Sequence, residues 1–305
     1  MPDAECDEPT QRNHTRAPRR ARLSPSIMAD GAMREALDEL FAAQPAWLLW
    51  GILPLAGAAI GYYGTVLPLE LLIRTPFAAQ HLLPRKGGRW TMIRREHSQI
   101  ASLGKQLAVA TWVIFGPTGL INGLLSIVLL PIVTQQVDGP HPLPTLAVAL
   151  MQLAAMELVG DFGLYWGHRV QHESEFLWRR FHWYHHQLST PSPAGTIFID
   201  VNDATLQAGL PAIAAAALVR PHPALFALYV YLRIAENVVN HSGLDARIVD
   251  ALTLKFLPGR PPIAHHDAHH LYSNHCKRAK NFGENFWLWD VLFGTYSVGL
   301  KVAKQ

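Results

Sequence analysis

Long apolar runs constrain this chain before any motif does. Ala46 to Ile73 holds a single carboxylate, Glu70, near its end, and Leu107 to Val133 holds no charge at all. Leu143 to Trp166 is interrupted only by Glu157 and Asp161. Runs of this length cross a bilayer as tilted helices, because hydrocarbon leaves the backbone no partner but itself. Two shorter apolar stretches, Leu206 to Val219 and Ala224 to Val239, are joined by Arg220-Pro-His-Pro223. At about 1.5 Å per residue neither crosses roughly 30 Å easily, so they are expected to form a short hairpin. Pro117 and Pro131 are expected to kink or end the second run. The fold expected is all-α: an integral membrane helical protein with a cytoplasmic helical cap.

Composition agrees. Of 305 residues, 50% are apolar and 16% charged, against about 25% charged in soluble domains. A formal charge of +3 gives no reason to expect a nucleic-acid partner, and two cysteines exclude a disulfide scaffold.

Three regions follow. Residues 1–45 read as a disordered tail, Met1 to Ser26, and a short amphipathic helix over residues 30–43 carrying Met33, Leu37, Leu40 and Phe41. The tail starts acidic, unlike a signal peptide, and its Asn13-His14-Thr15 sequon is read as chance. Residues 46–143 hold membrane helices and a basic loop, and residues 144–305 the chemistry. The loop carries Arg74, Arg85, Lys86, Arg89, Arg94, Arg95 and Lys105, whereas Thr134 to Pro142 has no Lys or Arg. The positive-inside rule makes the first cytoplasmic, and the third run returns to that side just before Arg169, Arg179 and Arg180.

The chemistry is histidine. Of 16 histidines, eleven occupy two windows. His168 and His172 form an HxxxH spacing, and His182, His185 and His186 an HxxHH. His241 stands in Asn240-His-Ser-Gly243, and His266, His269 and His270 repeat HxxHH. On a helix, positions i, i+3 and i+4 share a face, so each cluster can aim its imidazoles at one point. Neutral imidazole binds Fe, Zn, Cu or Ni. Nine ligands exceed what one ion uses, so two ions are expected. His265 points about 100° from His266 and is read as a support or incidental. His275, in a basic loop, and the isolated His14, His81, His97, His141 and His222 are read as surface or structural. Glu157 and Asp161, at i and i+4 in the third run, need a partner, which a histidine N–H would supply if Asp161 is not simply interfacial. Asp267 and Asp290 are read the same way. Trp166, Trp178, Trp183, Trp287 and Trp289 are expected at the membrane interface.

These boxes, with Asn281-Phe-Gly283 and Trp289-Asp-Val-Leu-Phe-Gly-Thr295, resemble the fatty acid hydroxylase/sterol desaturase superfamily of membrane di-iron oxygenases over roughly Leu146 to Tyr296. Phe282 stands where the pattern has Tyr, and Asn237 where some relatives have another histidine. The resemblance implies two Fe ions, replaceable by Zn on purification, held by the nine histidines, with Asn237 either acting through a bound water or leaving one iron short of a ligand. It implies O₂-dependent hydroxylation or desaturation of a lipid, sterol or fatty acyl C–H bond. It also implies a separate electron donor (cytochrome b5-type, ferredoxin or reductase), since no dinucleotide fingerprint is present. The membrane would be the bacterial inner membrane or endoplasmic reticulum. The alternatives are a non-catalytic membrane zinc- or metal-binding protein and a metal transporter. Transport is disfavoured because the boxes lie among Arg and Lys beyond the apolar runs.

Overall fold

Gly57 and Gly61 of the first apolar run let two helices meet backbone to backbone. A Cβ on Gly57 would stand 2.5 Å from the Ala227 carbonyl oxygen, and one on Gly61 would stand 2.7 Å from that of Tyr231. Small residues spaced four apart are a usual way for helices to pack in lipid, where close contact replaces the hydrophobic drive. The computed structural model that shows this contact describes residues 25–84, 101–273 and 277–297.

All regular structure among the described residues is helical. Helix α1 is Pro25–Ala42, which begins before the expected residue 30. Three helices are long and apolar enough to cross a membrane. The first, Trp47–Leu72, opens with a π-helical turn, Trp47–Ile52, and continues as α2, Leu53–Leu72. The second is broken at Pro117, which lacks an N–H and disfavours helix in the residue before it. It therefore consists of α3, Leu103–Phe115, and α4, Pro117–Val133, with Pro131 close to its end. The third is α5, Leu146–Glu173, longer than its apolar run because it carries on through the first histidine box.

Two shorter helices, α7 (Leu210–Val219) and α8 (Pro223–Asn240), form the expected hairpin. Between α5 and the hairpin lie α6, Glu175–Arg180, and 3-10 turns at His182–Gln187 and Pro193–Ile197. The second turn is tied back to the first span. Ala194 N donates to Glu70 Oε1 at 3.0 Å, and Tyr62 Oη donates to Ala194 O at 2.8 Å. Helices α9, Ile263–Tyr272, and α10, Leu288–Leu292, complete the cap.

The spans are apolar outward as well as inward. Trp50, Leu130, Met156, Ile213, Phe226 and Tyr229 pack into one core cluster, while Ile60, Leu71, Trp112, Leu124, Ile132 and Met151 are exposed. Such a surface suits hydrocarbon rather than water.

Arg85, Lys86, Arg89, Arg94, Arg95, His14, His97, His275 and the tail to Ser24 lie outside the described residues.

Candidate metal centre

All nine box histidines are buried, and they converge as two groups. His168, His172, His182, His186 and His269 form one, and His185, His241, His266 and His270 the other. Within each group the ligand atoms lie within 4.8 Å of one another. The groups adjoin, with the rings of His186 and His270 stacked 4.8 Å apart.

Local geometry decides which histidine joins which group. The pairs His168/His172, His182/His186 and His266/His270 are spaced i, i+4 and stay together. The i+3 members, His185 and His269, go to the opposite group. Each HxxHH box therefore serves two points, not the single point expected. Consecutive residues on a helix diverge by about 100°, so adjacent imidazoles separate. The second box is also a 3-10 turn, His182–Gln187, not an α-helix.

Five imidazoles are fixed by what holds Nδ1. His168 donates to Phe282 O (3.2 Å), His241 to Asn237 O (2.8 Å), His269 to Lys280 O (2.6 Å) and His270 to Leu188 O (3.1 Å). His182 donates to Asp203 Oδ2 at 2.9 Å. Each acceptor is an oxygen, so Nδ1 carries the proton and a neutral ring presents its lone pair at Nε2. Burial, reinforced for most by neighbouring imidazoles, drives His185, His186, His266 and His270 well below the usual histidine pKa. The same burial pushes His269 down to about 3 and His241 to about 4, against the opposing pull of their backbone hydrogen bonds.

These lone pairs face one another. The Nε2 atoms of His182 and His269 lie 3.1 and 3.2 Å from His186 Nε2, which can offer a proton to only one of them. His168 Nε2 and His270 Nε2 are buried with no hydrogen-bond partner. Hydrogen bonding cannot satisfy such a set, whereas a borderline-soft cation at each point would. The donor set fits two transition-metal ions.

The supporting residues differ from those expected. Asp161 does not touch a histidine. It accepts from Arg233 Nη2 (2.9 Å) and from the backbone N–H groups of Asn285 and Phe286 (3.0 Å each). Arg233 is its partner because α8 packs beside α5 and a guanidinium matches a buried carboxylate. Asn237 supports His241 through its main-chain carbonyl, which accepts from Nδ1. His265 is bonded to Asp290 Oδ2 at 3.1 Å. Asp290 in turn accepts from Phe282 N and Gly283 N at 2.9 and 2.8 Å, which sets the Phe282 carbonyl that anchors His168. Asp267 is buried beside His266, and its charge favours the protonated form of His241. Trp178 leaves the interface expected of it: α6 folds it inward to 4.7 Å from the His172 ring. Phe282 fills the adjacent space, 5.4 Å from His168. His222, as expected, is structural: Nδ1 caps α8 by accepting from Ala224 N.

Asp203 was not foreseen. It sits just before the hairpin and, besides holding His182, accepts from Gln171 Nε2 at 2.9 Å. An acid at the edge of an apolar run was its only sequence signal.

A buried histidine-rich centre carried by membrane-type helices places the chain among membrane metalloproteins. The comparisons narrow this class. Residues 153–295 match the fatty acid hydroxylase family, and this region belongs to the fatty acid hydroxylase/sterol desaturase superfamily. A very-long-chain aldehyde decarbonylase of Oryza sativa subsp. japonica is 32% identical over 179 residues, covering 58% of this chain and 56% of the relative. Methylsterol monooxygenase 1-1 of Arabidopsis thaliana is 28% identical over 177 residues, covering 58% and 57%. Methylsterol monooxygenase 2-2 of the same plant is 31% identical over 164 residues, covering 50% and 55%. The chain thus spans about half the length of the curated relatives it matches. No solved structure matches it.

Proposed function

We propose that the chain is a membrane oxygenase that uses O₂ and two iron ions to hydroxylate or desaturate an unactivated C–H bond of a lipid. The observation that carries this reading is the convergence of nine buried imidazoles on two adjoining points. Lipid-acting relatives, a decarbonylase and a monooxygenase, support it. His168, His172, His182, His186 and His269 hold one ion, and His185, His241, His266 and His270 the other. Bound iron supplies O₂ activation, which no side chain here performs.

The protein does the rest. Oxygen acceptors behind five histidines hold their lone pairs inward, which raises ligand basicity and fixes orientation. Burial disfavours the charged form of His185, His186, His241, His266, His269 and His270 and excludes bulk water. An apolar cavity, walled by the first two spans and the hairpin, opens a path for a substrate that stays in the bilayer. Electrons come from a separate cytochrome b5-type protein, ferredoxin or reductase. The centre faces the cytoplasm, on the side of the basic loop, in a bacterial inner membrane or the endoplasmic reticulum.

The test is anaerobic loading with ferrous iron in detergent, then metal analysis and oxygen exposure with a membrane lipid extract and a chemical reductant. Close to two irons per chain and an oxidised lipid detected by mass spectrometry are expected. Tight metal binding with no oxygen uptake under any donor would overturn the reading.

A further inference from the structure

The cavity beside the centre is about 200 Å³ and largely apolar, with Leu55, Ile114, Ile213, Phe226 and Ile234 among its walls. It follows one face of α8 from Phe226 to Asn237, a distance of roughly 16 Å at about 1.5 Å per residue. Two buried polar atoms that lack a hydrogen bond belong to residues at its end nearer His241. Arg233 is 8% exposed. Its Nη2 is taken by Asp161, but Nη1 has no hydrogen-bond partner, and its contact with Glu157 Oε2 is 3.7 Å. Asn237 Oδ1 is likewise buried without a partner. Both residues line the cavity, and their spacing of four puts them on one helix face.

A buried guanidinium N–H held only by a 3.7 Å ion-pair contact, one helical turn from a buried carbonyl oxygen with no hydrogen bond, is a costly arrangement in a native interior. A group that both accepts and donates would satisfy them together. We infer that the cavity takes a lipid alcohol, its hydroxyl accepting from Arg233 Nη1 and donating to Asn237 Oδ1. This rests on the lipid-oxygenase reading and narrows its substrate class. A carbonyl accepts from Arg233 but leaves Asn237 unpaired, and a plain alkyl chain satisfies neither. Because the Asn237 carbonyl anchors His241, the hydroxyl-bearing end of the lipid lies beside the four-histidine group, and the distant tail lies toward Phe226.

The experiment measures retention of tritiated dodecan-1-ol, dodecanal and dodecane on the purified full-length protein in detergent. Each probe is compared between wild type and Asn237→Leu, so that partition into micelles cancels. Wild type is expected to hold the alcohol about tenfold or more tighter than the alkane, with the aldehyde between them. In Asn237→Leu the alcohol falls to the level of the aldehyde, while aldehyde and alkane are unchanged. Metal content equal to wild type certifies that variant. If it fails to fold, Arg233→Lys decides: it keeps a charge for Asp161 but removes the second N–H arm, so alcohol and aldehyde both fall toward the alkane. Equal retention of alcohol and alkane by wild type, or full alcohol preference in the variants, overturns the hydroxyl inference and leaves the lipid reading standing. Retention of none of the three overturns the lipid reading itself.

Discussion

Asp203 Oδ2 accepts the Nδ1 proton of His182 at 2.9 Å, and both side chains are closed off from solvent. The carboxylate fixes the ring's tautomer and makes Nε2 the better donor to a metal. Outer partners of this kind are typically worth about 10–100-fold in metal affinity. Asp203→Ala is therefore expected to weaken metal binding by that order. Asp203→Asn, whose amide oxygen still accepts, should fall less far. Metal titration of the apoprotein distinguishes the two.

Asp290 holds a loop rather than a ring. It accepts from Phe282 N, Gly283 N, Thr295 Oγ1 and His265. Burial alone would raise its pKa, yet these bonds, led by His265, hold it below the usual carboxylate range. A carboxylate depressed on folding contributes stability that is complete above its unfolded pKa, about 3.9, and is lost as pH falls through the folded value. Asp290→Ala should cost about 3 kcal/mol or more, because it strands several buried donors. It should also loosen His168, whose anchor is the Phe282 carbonyl. The melting temperature of the wild type should drop below about pH 4 more steeply than that of Asp290→Ala.

Sequence spacing announced the spans and the three histidine boxes, because apolar length and i, i+3, i+4 spacing are local properties, whereas His241 has no histidine at such a spacing. What it did not announce depends on tertiary approach. Asp203 reaches His182 only after the chain bends through Pro193–Ile197. Asp161 meets Arg233 because α8 comes to lie beside α5, so no local pattern names the partner. The division of each HxxHH between two groups was implicit in the roughly 100° step between neighbours, yet sharing a face concealed it. Trp178 moved inward for a similar reason, since a six-residue helix, Glu175–Arg180, turns it toward the histidines.

The contact between α2 and α8 gives a packing prediction with an internal control. Gly61→Ala would set a methyl 2.7 Å from the Tyr231 carbonyl oxygen, a backbone atom that cannot swing aside. A cost of about 1–3 kcal/mol is expected. At Gly64 the nearest atom to a new Cβ is Ile60 Cγ2 at 3.8 Å, an ordinary contact. Gly64→Ala should be neutral, or stabilising by up to about 1 kcal/mol through helix propensity. Melting temperatures in one detergent test both, and equal losses would mean that the close approach does not occur.

The division of histidines into five and four makes metal loss selective. His186 lies 3.1 and 3.2 Å from His182 and His269, at the middle of the five-histidine group. His266 lies 3.0 Å from His241 in the four-histidine group. His186→Ala should empty the first point and leave the second loaded, and His266→Ala should do the reverse. Each variant is then expected to hold about one metal per chain where the wild type holds about two, and neither should turn over, because the proposed chemistry needs both ions. His222→Ala, a helix cap on α8, should retain full metal. Element analysis on protein loaded under identical conditions provides the count. Loss of both ions from either single variant would show that the two points are not independent sites, and retention of both would show that these imidazoles are not ligands.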